Sequence, residues 1–109
     1  MNLKMNLLYK SYYYSSYQCD NKRCFFVDFG EKPVKISFCQ LLALRQKVNA
    51  IDLNSHFDSE LNFHGIEILT LCNREHILIL DTLQVIDLKQ LIKATFGMLE
   101  LNALVAQTL

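Results

Sequence analysis

The stretch CFFVDFGEKPVKISFCQLLALRQKVNAI, residues 24–51, decides the fold. In Cys24 to Phe29 the side chains of Phe25, Val27 and Phe29 share one face of an extended chain, and Phe26 and Asp28 share the other. Gly30-Glu31-Lys32-Pro33 carries turn chemistry, and Val34 to Ser37 returns as the second arm of a hairpin. Ser37 reads as a helix N-cap, and Gln40 three residues later completes a capping box. From Phe38 to about Ile51, Phe38, Leu41, Leu42, Leu44, Val48 and Ile51 then gather on one side of a helix. Hairpin, cap and helix make one ββα unit.

Toward the C-terminus the same grammar recurs. Residues 52–64 break the periodicity and read as an irregular connection. Gly65 to Leu71 and Glu75 to Leu80 read as strands joined across Cys72-Asn73-Arg74. The run His76-Ile77-Leu78-Ile79-Leu80 is apolar on both faces, which predicts a central strand. Asp81-Thr82 reads as a turn and Leu83 to Ile86 as one more short strand. Asp87 with Gln90 is a second capping box, opening a helix that runs toward Ala106. Ser37 then lies over Asp87 and Gln40 over Gln90. An internal duplication would produce this match, and so would local capping chemistry alone. The expected fold class is α+β: an antiparallel sheet of four to five strands with two helices on one face, in ββα-ββα order.

Toward the N-terminus, residues 1–18 form a tyrosine-rich stretch in which Tyr12, Tyr13, Tyr14 and Tyr17 are interleaved with serines without strict alternation. It reads as an extended arm or edge strand ahead of a single domain spanning 19–109. A chain of 109 residues has room for one core. Apolar residues make up 51% of it and charged residues only 20%, a surplus that points to burial between subunits. Eleven basic residues balance eleven acidic ones, which disfavours nucleic acid as a partner. The aromatic arm could stack bases, but it carries only Lys4 and Lys10. No segment reaches the roughly 18 consecutive apolar residues of a membrane span. With no secretory signal pattern in Met1 to Tyr17, the expected location is cytoplasmic and the expected state of the four cysteines is reduced.

The last helix is the unusual element. From Phe96 it reads FGMLELNALVAQTL, and Glu100 is its only charge. Leu88, Leu91, Ile92, Met98, Leu99 and Val105 would fill the stripe facing the sheet, while Phe96, Leu101 and Leu104 project toward water. A helix apolar nearly all round is normally covered on more than one side. A homodimer through Phe96, Leu101 and Leu104 is the expectation; cover from the tyrosine-rich arm or the 52–64 connection is the alternative.

Few residues could carry chemistry. Cys19 and Cys24 form the most chemical-looking pair, and Cys72 and His76 flanking the second hairpin's turn could supply two more zinc ligands if that hairpin neighbours residues 19–24. A zinc-binding or thiol-dependent regulatory protein is the alternative reading, and unrelated buried thiols with a hairpin histidine the plainer one. Arg45 sits within the apolar stripe of the first helix, where it could bind an anionic ligand, pair with Asp28 or Glu67, or lie along the core edge. No Gly-rich phosphate loop, nucleophile elbow or metalloprotease motif is present, and no catalytic residue is assigned. The leading reading is a non-catalytic protein-interaction module.

The stretch from Tyr17 through Leu44, with cysteines leading into FFVDFG and then VKISFCQLLAL, resembles a small bacterial domain family of unknown function, of the kind found in Bacteroidota. That resemblance implies a lineage and no activity.

Overall fold

The computed structural model describes residues 5–19, 24–30, 33–54, 65–71 and 75–108. The chain is α+β, with six strands and two long helices among these residues. Strands β1 (Met5–Lys10), β2 (Ser15–Cys19), β3 (Phe25–Asp28) and β4 (Pro33–Ile36) form an antiparallel sheet in sequential order. Helix α1 (Phe38–Asn49) follows. Strands β5 (Ile66–Leu71) and β6 (His76–Asp81) then pair as a separate two-stranded sheet, and helix α2 (Thr82–Thr108) ends the chain.

The hairpin and helix of residues 24–51 form from the signals in their sequence. Phe25 pairs with Ile36 and Val27 with Val34, and all four are buried. Gly30 takes φ +108°, a conformation that suits glycine, and its N–H donates to the Asp28 carboxylate at 2.8 Å to close the turn. At the helix start, the Gln40 N–H donates to Ser37 Oγ at 3.2 Å and the Ser37 N–H to Gln40 Oε1 at 2.8 Å, a reciprocal capping box. Leu41, Leu44 and Val48 are fully buried, whereas Phe38, at the first turn, is half exposed.

The tyrosine-rich segment supplies half of the four-stranded sheet: β1 is its edge and β2 an interior strand. A register irregularity between Leu7 and Tyr9 turns Leu8 into the core and leaves Leu7 outside. β2 is buried although it is rich in hydroxyls, because those groups find partners. Ser16 Oγ lies 2.6 Å from Thr95 Oγ1 of α2, and Ser15 Oγ donates to the Tyr17 hydroxyl at 3.1 Å.

The second unit departs from its expected form in three ways. It does not extend the first sheet, so β6 is not a central strand. The inward face of the β5–β6 hairpin buries Leu69, Leu71 and Leu80, while Ile66, Ile68, Ile77 and Ile79 stand on the open face. Residues 83–86 are helical rather than a strand. The helix cap is Asp81, not Asp87: the Gln84 N–H donates to Asp81 Oδ1 at 2.8 Å and the Asp81 N–H to Gln84 Oε1 at 2.9 Å. Starting at Thr82 places Val85 on the buried face with Leu88, Leu91, Ile92 and Thr95, adding a full turn to the apolar stripe. The element order is therefore ββββα-ββα, and the match of Ser37 with Asp87 does not describe corresponding caps.

One core joins all of this. Leu8, Phe25, Val27, Val34 and Ile36 come from the larger sheet, Tyr14 from the β1–β2 connection, Leu41, Leu44 and Val48 from α1, Leu69, Leu71 and Leu80 from the hairpin, and Val85, Leu88, Leu91 and Ile92 from α2. Polar ties reinforce it: Lys89 Nζ donates to the Val48 carbonyl at 2.9 Å, and Lys47 Nζ donates to the Thr70 carbonyl.

Candidate functional site

Helix α2 presents three distinct faces along its second half. At about 100° per residue, Leu99, Asn102, Ala103 and Ala106 lie on one side, where they form a groove with Asn6, Leu7, Leu8 and Gln18 of β1 and β2. The tyrosine-rich region thus covers part of the helix from its own chain. Ile92, Lys93, Phe96 and Glu100 lie on a second side, toward α1. Leu101, Leu104 and Val105 fall opposite the β1–β2 groove and are 51%, 60% and 49% exposed. Val105 was expected inward with Met98 and Leu99. It is outside because its position on the helix lies opposite the side that meets β1 and β2, and no residue from Phe96 to Ala106 is fully buried.

Of the expected interface residues, Leu101 and Leu104 share this bare stripe and Phe96 does not. The Phe96 ring is covered by the Arg45 guanidinium, 4.2 Å from the ring centroid, with Phe38 edging it at 6.4 Å. An exposed apolar surface that sequence reasoning missed lies on the hairpin: Ile68 and Ile79 are directly paired and about two-thirds exposed, flanked by Ile66 and Ile77. The signal was in the Ile-x-Ile alternation of residues 77–79, which the apolar residues between them concealed.

Cys19 and Cys24 come together across the β2–β3 connection as a disulfide, with Cα atoms 5.6 Å apart, rather than as the expected free thiols. Both are buried. The Cys19 N–H donates to the Cys24 carbonyl and the Cys24 N–H to Cys19 Sγ, each at 3.1 Å. A disulfide has no thiolate to offer a metal. Of the other two candidate ligands, Cys72 lies outside the described residues. His76 opens β6 opposite Leu71 and is partly buried. Among the described residues, no group of three or more His, Cys, Asp or Glu side chains gathers to hold a metal.

Arg45 makes neither of the ion pairs considered for it. It lies at the mouth of a cleft of about 420 Å³ between α1 and α2, with Asn49 beside it and Lys89, Lys93, Phe96 and Gly97 across it. Lys89 Nζ, which donates to the Val48 carbonyl, has two further N–H donors.

Asp87, relieved of a capping role, anchors the β1–β2 turn. Its carboxylate accepts from Ser11 Oγ at 2.6 Å, the Tyr12 N–H at 3.0 Å and the Tyr13 N–H at 2.9 Å. Beside it the Tyr14 phenol is pushed up to about 12, first by burial and then by the negative charges of Asp87 and Asp81, with Tyr13 adding to them.

No helix among the described residues is long and apolar enough to cross a membrane. No family model, no curated protein and no solved structure matches the chain.

Proposed function

We propose that the protein is a non-catalytic interaction module that works as a homodimer, with its contacts on the bare end of α2. The observation behind this reading is the Leu101–Leu104–Val105 stripe, which stands on the side of the helix away from its own sheet and is about half exposed. Leaving such a stripe in water is unfavourable by roughly 25 cal/mol per Å² of apolar surface, and two-fold pairing with a second copy removes it. Sedimentation velocity of the full chain is expected to give a dimer. Leu101→Glu or Leu104→Glu is expected to give a folded monomer with unchanged circular dichroism. A wild-type chain that stays monomeric at the highest attainable concentration contradicts the proposal.

A second reading, a thiol-dependent regulator in the cytoplasm, is favoured by the pairing of Cys19 with Cys24. Reduction would release the β2–β3 connection, and the state of the pair would follow the glutathione poise. Mass-spectrometric thiol trapping across glutathione buffers tests it. A bond that stays closed under cytoplasmic poise, or a thiol pair whose reduction alters neither stability nor assembly, removes it. Zinc enters this reading only through the reduced pair, with Cys72 and His76 as further ligands. Elemental analysis of untagged, reduced protein decides that point.

A further inference from the structure

We propose that the cleft between α1 and α2 is a binding site for a small phosphate monoester carrying a planar apolar body. The proposal is independent of the homodimer reading, because the cleft and the bare stripe occupy different sides of α2.

Three observations converge. The first is charge. The chain as a whole is neutral, yet Arg45, Lys89 and Lys93 line this one cleft, with Glu100 the only acid on its wall among the described residues. Neither Arg45 nor Lys93 has a hydrogen bond or ion pair to another described residue. Cations that line one cleft repel one another, and an anion among them relieves the repulsion. Two net positive charges match the dianion of a phosphate monoester better than a single carboxylate.

The second is shape. The cleft, half open to solvent and of about 420 Å³, has room for a small molecule, and Phe96 stands on its wall. The Arg45 guanidinium carbon lies over that ring, 4.2 Å from its centroid, which holds the charge beside the apolar wall. A guanidinium can meet two phosphate oxygens at once.

The third is Gly97. Glycine inside a helix is destabilising, and here neither packing nor backbone demands it: its φ is not positive, and a Cβ would meet no atom within 4 Å. Gly97 lines the cleft, where a side chain would occupy the space a ligand needs. An open cleft accounts for a residue that the fold alone does not require.

The test is calorimetric or NMR titration of the full chain at low salt with phenyl phosphate, inorganic phosphate and benzoate. Phenyl phosphate is expected to bind saturably and at least tenfold more tightly than either half-probe. Gly97→Leu, which improves helix propensity, is expected to raise the melting temperature and weaken phenyl phosphate binding at least tenfold. Arg45→Met keeps the stem over Phe96 and is expected to lose a similar factor. Absence of saturable phenyl phosphate binding overturns the proposal. So does equal binding of benzoate, or unchanged affinity in both variants.

Discussion

The two hairpin–helix units follow the same plan and end with different surfaces. Each opens its helix with a capping box, Ser37 with Gln40 and Asp81 with Gln84. Each turns one hairpin face into the shared core, through Phe25, Val27, Val34 and Ile36 in the first and Leu69, Leu71 and Leu80 in the second. The outward faces differ. On β3–β4 the outward side carries Phe26, Asp28, Pro33 and Lys35, and two further strands extend the sheet. On β5–β6 it carries four exposed isoleucines, and no other strand among the described residues joins the pair. The helices diverge likewise: α1 stays within the body, while α2, about 40 Å long, outruns its cover. Apolar sequence therefore marks where surface must be covered; the body of the protein buries one face of α2 fully up to Thr95 and beyond it partly covers the side facing β1 and β2.

The largest effect that can break this comparison comes from neighbouring residues of β6. Leu80→Ala is expected to cost about 2–5 kcal/mol in denaturant unfolding, whereas Ile79→Ala, one residue away on the open face, is expected to cost less than about 1 kcal/mol. Equal costs would mean that the open face is covered. Next is Asp87. Asp87→Ala removes three hydrogen bonds to the β1–β2 turn and is expected to cost about 2 kcal/mol, more than a helix cap. The caps follow, with Asp81→Ala and Ser37→Ala each losing about 1 kcal/mol, while the corresponding change at Gln90 is expected to be nearly silent.

The smallest effect is alkaline. The folded Tyr14 phenol, at about 12, keeps its proton above the unfolded value near 10. Its contribution is therefore complete below pH 10 and is lost as the pH rises toward 12. Thermal melts between those limits are expected to show a shallower decline in Tyr14→Phe than in the wild type.

The first unit was legible because its signals are local: an alternating strand, a glycine turn and a serine cap stand next to one another in residues 24–51. The tyrosine-rich strands were less so. Ser15 and Ser16 look like surface residues until Tyr17 and Thr95 are known to satisfy them, and Thr95 is far away in the chain. Two capping boxes compete at the start of α2. Local chemistry does not separate Asp81 from Asp87; burial of Val85 and capture of the β1–β2 turn do. For the cleft, Arg45 stood out as a cation in an apolar stripe, but Lys89 and Lys93 join it only through helix packing. Cys19 and Cys24 were a visible pair whose bond depends on the pairing of β2 with β3, which brings them together.

The central claim is that the end of α2, rather than the isoleucine face of the hairpin, meets a second copy of the chain. Interchain cross-linking tests it directly, with single cysteines placed at Leu101 or Ile79 after Cys39 and Cys72 are changed to serine. Leu101→Cys is expected to give a covalent dimer under mild oxidation, and Ile79→Cys a monomer. A covalent dimer from Ile79→Cys with none from Leu101→Cys would contradict the account.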